Sequence, residues 1–166
     1  MLPSDQIARQ QIEQYRHDLR NHFDVAALPR IERLKHYALH FAKYAGRIAR
    51  DQDGSDLERT LVDSFLIGLS AANALKLKLS GEDLAASAAS SSSQRLLEIY
   101  TDAVGRFAEA SEKSDHLEDF MDLARSANRA ILRIVADEAD KRNIDLLSLA
   151  QRKRQQISAN NFLASD

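Results

Sequence analysis

Between Pro29 and Asp51 the apolar residues Ile31, Leu34, Ala38, Phe41, Ala45 and Ile48 recur at steps of three and four. On an α-helix that spacing draws them into one seam, whereas on a strand it would scatter them over both faces. The same rhythm appears elsewhere, in Ile12, Tyr15, Leu19 and Phe23, and in Leu97, Tyr100, Val104 and Phe107. Such a chain can bury its apolar residues only by laying helices side by side. Composition agrees: the chain has 5 glycines and 2 prolines, and no cluster of β-branched or aromatic residues announces a strand. The expectation is an all-α antiparallel bundle of five or six helices in one domain spanning 1–157, followed by a polar tail over 158–166.

Local signals place the helices. Ser4 is a good N-cap for a first helix running to Phe23, with Ile12, Tyr15, Leu19 and Phe23 as its buried face. The second helix runs from Pro29 or Arg30 to Arg50. Ser55-x-x-Glu58 reads as a capping box for a third helix reaching Leu79, with Gly81 as its stop. This third helix is the most apolar, and Asp63, Asn73, Lys76 and Lys78 make it too polar for a membrane span. An Ala/Ser-rich linker is expected over 84–93. A fourth helix covers about 94–113. A second capping box, Asp115-x-x-Glu118, opens a fifth that ends near Lys141, and a sixth covers about 145–157.

The two halves resemble each other. Tyr44-Ala-Gly46-Arg47-Ile-Ala49 recurs as Ala103-Val-Gly105-Arg106-Phe-Ala108, each in a helix followed by a turn and a long apolar helix. A duplicated helical hairpin over about 34–80 and 97–145 is one reading; chance likeness of Ala-rich helices is the other.

Charge and cysteine content narrow the function. A net charge of -2 argues against a general nucleic-acid binder. With 0 cysteines there is neither a disulfide nor a thiolate metal site. The N-terminal residues show no signal-peptide pattern, so a soluble, cytoplasmic protein is expected. No Gly-rich phosphate loop or Ser- or Cys-based nucleophile set is present.

Gly105-Arg-Phe-Ala-Glu109-Ala110 and Asp63-Ser-Phe-Leu-Ile-Gly-Leu69 resemble the two motifs of the MazG-like all-α nucleotide pyrophosphohydrolase superfamily. In that family a Glu-x-x-Glu on one helix and a Glu-x-x-Asp on the next hold Mg²⁺ ions, which bind the triphosphate and activate water. Sites there are often completed by dimerisation, so the resemblance implies a nucleotide ligand and either a homodimer or, in a duplicated chain, a site completed by one molecule. Aligned on the glycines, the ligand positions here carry Tyr44, Arg47, Thr60 and Asp63, then Ala103, Arg106, Arg125 and Asn128. Of these only Asp63 is a carboxylate, and Arg47, Arg106 and Arg125 would repel a metal ion. The resemblance therefore implies a module that has lost hydrolysis and binds or regulates. The alternative is an active Mg²⁺-dependent (d)NTP pyrophosphohydrolase with a rearranged acid set of Asp63, Asp102, Glu109 and Asp122. A third reading is a plain helical interaction module with a protein partner.

Arg33, His36, His40, Lys43, Arg47 and Arg50 put cationic or titratable groups on one face of the second helix, with no acid among them. With Arg106 and Arg125, the residues His36, His40, Lys43 and Arg47 are the candidate anion or nucleotide contacts. The bland alternative pairs this face with Glu98, Asp102, Glu109 and Glu112 of the fourth helix. For Asp63 the bland reading is an ion pair with an arginine of a neighbouring helix. His36 and His40 lack a third metal ligand in the sequence pattern, and Arg152-Lys153-Arg154 reads as a solvated helix face.

Overall fold

The computed structural model describes residues 4–51, 54–85, 96–116 and 118–163. Within them lie six long helices and one single-turn helix, with no strand. They are α1 (Ser4–Asn21), α2 (Phe23–Ala26), α3 (Arg30–Arg50), α4 (Asp56–Ala74), α5 (Leu96–Lys113), α6 (Met121–Lys141) and α7 (Leu146–Leu163). The all-α bundle read from the spacing is what the chain forms. Among the described residues no helix is long and apolar enough to cross a membrane.

Helices α3 to α6 form the core: α3 packs on α4 and α5, and α6 packs on α4 and α5. α4 is buried almost all round, with Leu57, Leu61, Phe65 and Leu69 removed from solvent. The side chains of Phe41 and Phe107 meet edge to face at 5.1 Å between α3 and α5. The acids of α5 do not cross to α3. Asp102 pairs with Arg106 and Glu109 with Lys113 along α5, and Glu112 with His116 in the turn just beyond it. The expected α3–α5 charge complementarity is replaced by an apolar seam.

α1 is turned away from its expected orientation. Ile12, Tyr15, Leu19 and Phe23 are 41% to 64% exposed, while Ile7, Gln14 and His17 are buried. The cause lies at the end of α4, where the chain leaves the helix and its backbone needs partners. Gln11 supplies them, donating to Leu77 O at 2.6 Å and accepting from Leu79 N at 3.1 Å. The polar edge of α1 thus faces inward.

Several boundaries also move. α4 ends at Ala74, before both Leu79 and Gly81, because Lys76 takes a left-handed conformation at φ 50°. Leu77 N–H then reaches Ala72 O at 2.9 Å, closing a Schellman motif. Neither capping box forms. Asp51 Oδ2 accepts from Asp56 N–H in place of Ser55, and Asp115 pairs with Lys35 at 2.8 Å. At the start of the expected linker, Leu84 is buried in a 3₁₀ turn whose Asp83 pairs with Arg129 of α6 at 2.7 Å. The rest of it, from residue 86, lies outside the described residues. The expected tail from 158 is helical to Leu163.

α7 is held by the basic cluster taken as a solvated face. Arg154 is buried and bonds to Gln10, Gln14 and Glu13 of α1. Lys153 reaches Asp63 at 3.5 Å. The first turns of α7 pack Leu146, Leu147, Leu149 and Ala150 on the core, and the polar contacts of Lys153 and Arg154 hold its middle.

Candidate functional site

Turning α1 polar side inward leaves a space between α1, α2, α3, α4 and α7. It is a cavity of about 390 Å³, within the size range of small-molecule sites. His17, His22, His36 and His40, four of the chain's 5 histidines, line it. Val25, Leu66, Ile67 and Ile157 back it with apolar surface. Gln14, Tyr37, Tyr44 and Ser70 add neutral hydrogen-bonding groups.

The histidines fall into two ring pairs, His17 with His22 at 5.4 Å between centres and His36 with His40. His40 Nε2 lies 3.1 Å from His36 Nε2, and His40 Nδ1 lies 3.2 Å from Tyr44 Oη and 3.1 Å from Lys43 Nζ. The Lys43 ammonium can only donate, so His40 Nδ1 accepts and its proton sits on Nε2, donated to His36. Burial and then the Lys43 charge push His40 down to about 4. Burial, with His22 and Arg154, brings His17 to about 4 as well. Burial also lowers His36, against the pull of Asp24. These rings are neutral near pH 7, each presenting one donor and one acceptor. Burial raises Asp18, although hydrogen bonds from Ser70 and Gln14 oppose it.

Positive charge gathers at the α3–α4 side. Asp63, on the cavity wall, is held by Arg47 Nη1 at 3.1 Å and Lys153 Nζ at 3.5 Å. This is the interhelical ion pair expected as the bland reading of Asp63, with Lys153 as an added cation. Lys43 and Arg47 lie against the Tyr44 ring, at 4.9 and 5.6 Å from its centre. The three cations Arg47, Lys153 and Lys43 gather at this side, while Asp18, Asp24 and Asp63 put three carboxyl groups on the cavity wall.

The remaining sequence candidates are elsewhere. Arg106 is on the exposed face of α5 with Asp102, at 2.6 Å. Arg125 closes the end of α4 by donating to Leu75 O at 3.1 and 3.3 Å. Of the acid set, only Asp63 lines the cavity, while Glu109 is engaged by Lys113 and Asp122 is 96% exposed. Among the described residues no three His, Asp or Glu side chains converge as a metal-binding group. The four acids do not fit Mg²⁺, because one is neutralised twice and the others remain dispersed. Asn128, aligned with Asp63 in the sequence, is buried in the core and donates to Gly68 O at 3.1 Å.

Sequence reasoning missed His17, His22, Asp18 and Lys153. The available signal was the crowding of four histidines between positions 17 and 40. Without the orientation of α1, the first two could not be assigned to a common site. No family model matches the chain, and neither a curated protein nor a solved structure matches it.

Proposed function

We propose that this protein is a binding or regulatory module of MazG-like helical type that takes a nucleotide-class anion in the α1–α4 cavity without hydrolysing it. The observation that carries the reading is the pairing of Asp63 with Arg47 and Lys153 beside the neutral rings of His17 and His40. A carboxylate already carrying two cations is a poor Mg²⁺ ligand, whereas the same cations attract phosphate. Neutral imidazoles with one donor and one acceptor each, backed by Leu66 and Ile67, suit the edge and face of a heteroaromatic ring.

The test is a thermal-shift titration with common NTPs and dNTPs, with Mg²⁺ and with EDTA, followed by a pyrophosphate-release assay. The proposal expects stabilisation in EDTA and no pyrophosphate. Stabilisation only with Mg²⁺, together with pyrophosphate release, would establish the hydrolase reading instead. No shift under any condition would remove the nucleotide reading.

A second reading, a protein-interaction module that includes self-association, is favoured by the exposed stripe Ile12, Tyr15, Leu19 and Phe23. Sedimentation of the wild type and of Leu19→Lys tests it: a dimer lost in the variant supports a self-association surface.

A further inference from the structure

His36 and His40 stand one turn apart within α3, so both rings leave the same face of one helix. Their Nε2 atoms are 3.1 Å apart, and both side chains are part-buried at the wall of the cavity. At the usual metal–imidazole bond length of about 2.0–2.1 Å, two nitrogens at that separation subtend about 95–100° at one ion. That angle lies between the square-planar and tetrahedral values, so the pair can chelate without moving apart. The ring planes are inclined at 59°, and a turn about each Cβ–Cγ bond aims its lone pair at the ion.

The protons already stand close to the arrangement a metal requires. His36 Nε2 accepts the His40 Nε2 proton, so its own lone pair faces the shared space. His40 keeps its proton on Nε2 because the Lys43 ammonium donates to Nδ1 at 3.1 Å. To bind a metal, His40 must shift that proton to Nδ1, where Tyr44 Oη at 3.2 Å accepts it. A hydrogen bond at the far nitrogen is the usual device that fixes the tautomer of a ligating histidine. Lys43 must leave Nδ1 in the exchange, and as an exposed lysine it can swing into solvent. The ring stays neutral, so no proton is released.

We infer that His36 and His40 form a two-imidazole chelate for a divalent transition metal, Cu²⁺ ahead of Zn²⁺, with solvent completing the coordination. Imidazole suits both ions, and affinity for such ligands peaks at Cu²⁺. Two neutral nitrogens make a poor site for Mg²⁺ or Ca²⁺, which take oxygen ligands. Among the described residues no third His, Asp or Glu converges on the pair, so the ion keeps positions open to the cavity. The site is independent of the nucleotide reading: it needs no phosphate and none of the acids Asp63, Asp102, Glu109 and Asp122.

The experiment is a calorimetric titration of Cu²⁺, Zn²⁺ and Mg²⁺ salts into the full chain, stripped with EDTA and desalted, without nucleotide. The expected result is one saturable Cu²⁺ per chain, weaker Zn²⁺ and no Mg²⁺. His36→Gln and His40→Gln should each weaken Cu²⁺ by at least about tenfold, while His116→Gln binds as the wild type does. Lys43→Gln should bind more tightly, because the ammonium no longer competes for His40 Nδ1. Electron paramagnetic resonance of the wild-type Cu²⁺ complex needs no variant to fold, and should show coupling to two imidazoles. Cu²⁺ affinity unchanged in His36→Gln, lost in His116→Gln or no tighter in Lys43→Gln would overturn the inference, as would coupling to a single imidazole or no saturable Cu²⁺ binding.

Discussion

Arg47 Nη1 lies 3.1 Å from Asp63 Oδ2, tying α3 to α4 close to their turn, with Lys153 of α7 on the other carboxylate oxygen at 3.5 Å. Asp63 thereby acts as the shared counter-ion of two helices. Its side chain is 15% exposed, so the pair sits between the weak surface case and the strongly desolvated one. A double-mutant cycle with Arg47→Gln and Asp63→Asn should give a coupling of roughly 0.5–1.5 kcal/mol by urea unfolding. Asp63→Asn should also leave nucleotide binding intact or tighten it, because a negative charge beside the anion is removed. Loss of binding in that variant would point to Asp63 as a metal ligand.

Acid should weaken the fold in a defined window. His17 and His40 protonate in the unfolded chain near 6.5 but in the fold only at about 4. The unfolded chain therefore binds more protons between these values, and stability falls as pH drops from about 6.5 to about 4. Each histidine contributes on the order of 1 kcal/mol once solvent screening is allowed for. Asp18 acts in the opposite direction, since its raised carboxyl takes up a proton in the fold first. Urea midpoints measured from pH 7 to pH 4 should decline, and His40→Gln should flatten the decline.

The legible parts of this chain were those where apolar spacing and burial coincide. α3 follows its seam closely: Leu34, Phe41 and Ile48 are buried as expected, with Tyr37 and Tyr44 joining them. α1 failed the same test because Gln11 meets backbone groups left open beyond α4 and Gln14 meets the Ser70 hydroxyl on α4. Exposing Ile12, Tyr15 and Leu19 accompanies the bonds of Gln11 and Gln14. His36 and His40 were identified from one helix face, but the cavity also needs His17 and Lys153 from α1 and α7, distant in sequence. Capping motifs misled where a long-range partner took the side chain, as Lys35 took Asp115.

At Gly68 the backbone of α4 lies close under Leu132 of α6. A Cβ there would lie 2.5 Å from Leu132 Cδ2, and Leu132 is fully buried. Gly68→Ala should destabilise by about 1–3 kcal/mol through overpacking. It would also press on the Asn128 bond to Gly68 O. Adding Leu132→Val should recover part of the loss in thermal melts, and an unchanged midpoint for Gly68→Ala would show that the helices separate freely.

Lys76 carries the left-handed residue of a helix end where glycine costs less. Lys76→Gly should stabilise the protein by about 0.5–1 kcal/mol, the relief at the cap outweighing the added freedom of the unfolded chain. Asn143, at φ 55° after α6, should gain less, because asparagine tolerates this conformation better. Chemical denaturation of the two variants checks the order.

The cavity carries its own reporters. His17, His22, His36 and His40 line it, while His116 lies beyond α5 on Glu112. The direct measurement is a long-range ¹H–¹⁵N spectrum of the imidazole rings during titration with ATP in EDTA. Saturable shifts of the four cavity histidines, with His116 unmoved, are the predicted result. Spectra that do not change until Mg²⁺ is added, or in which His116 moves with the rest, would contradict a metal-independent nucleotide site in this cavity.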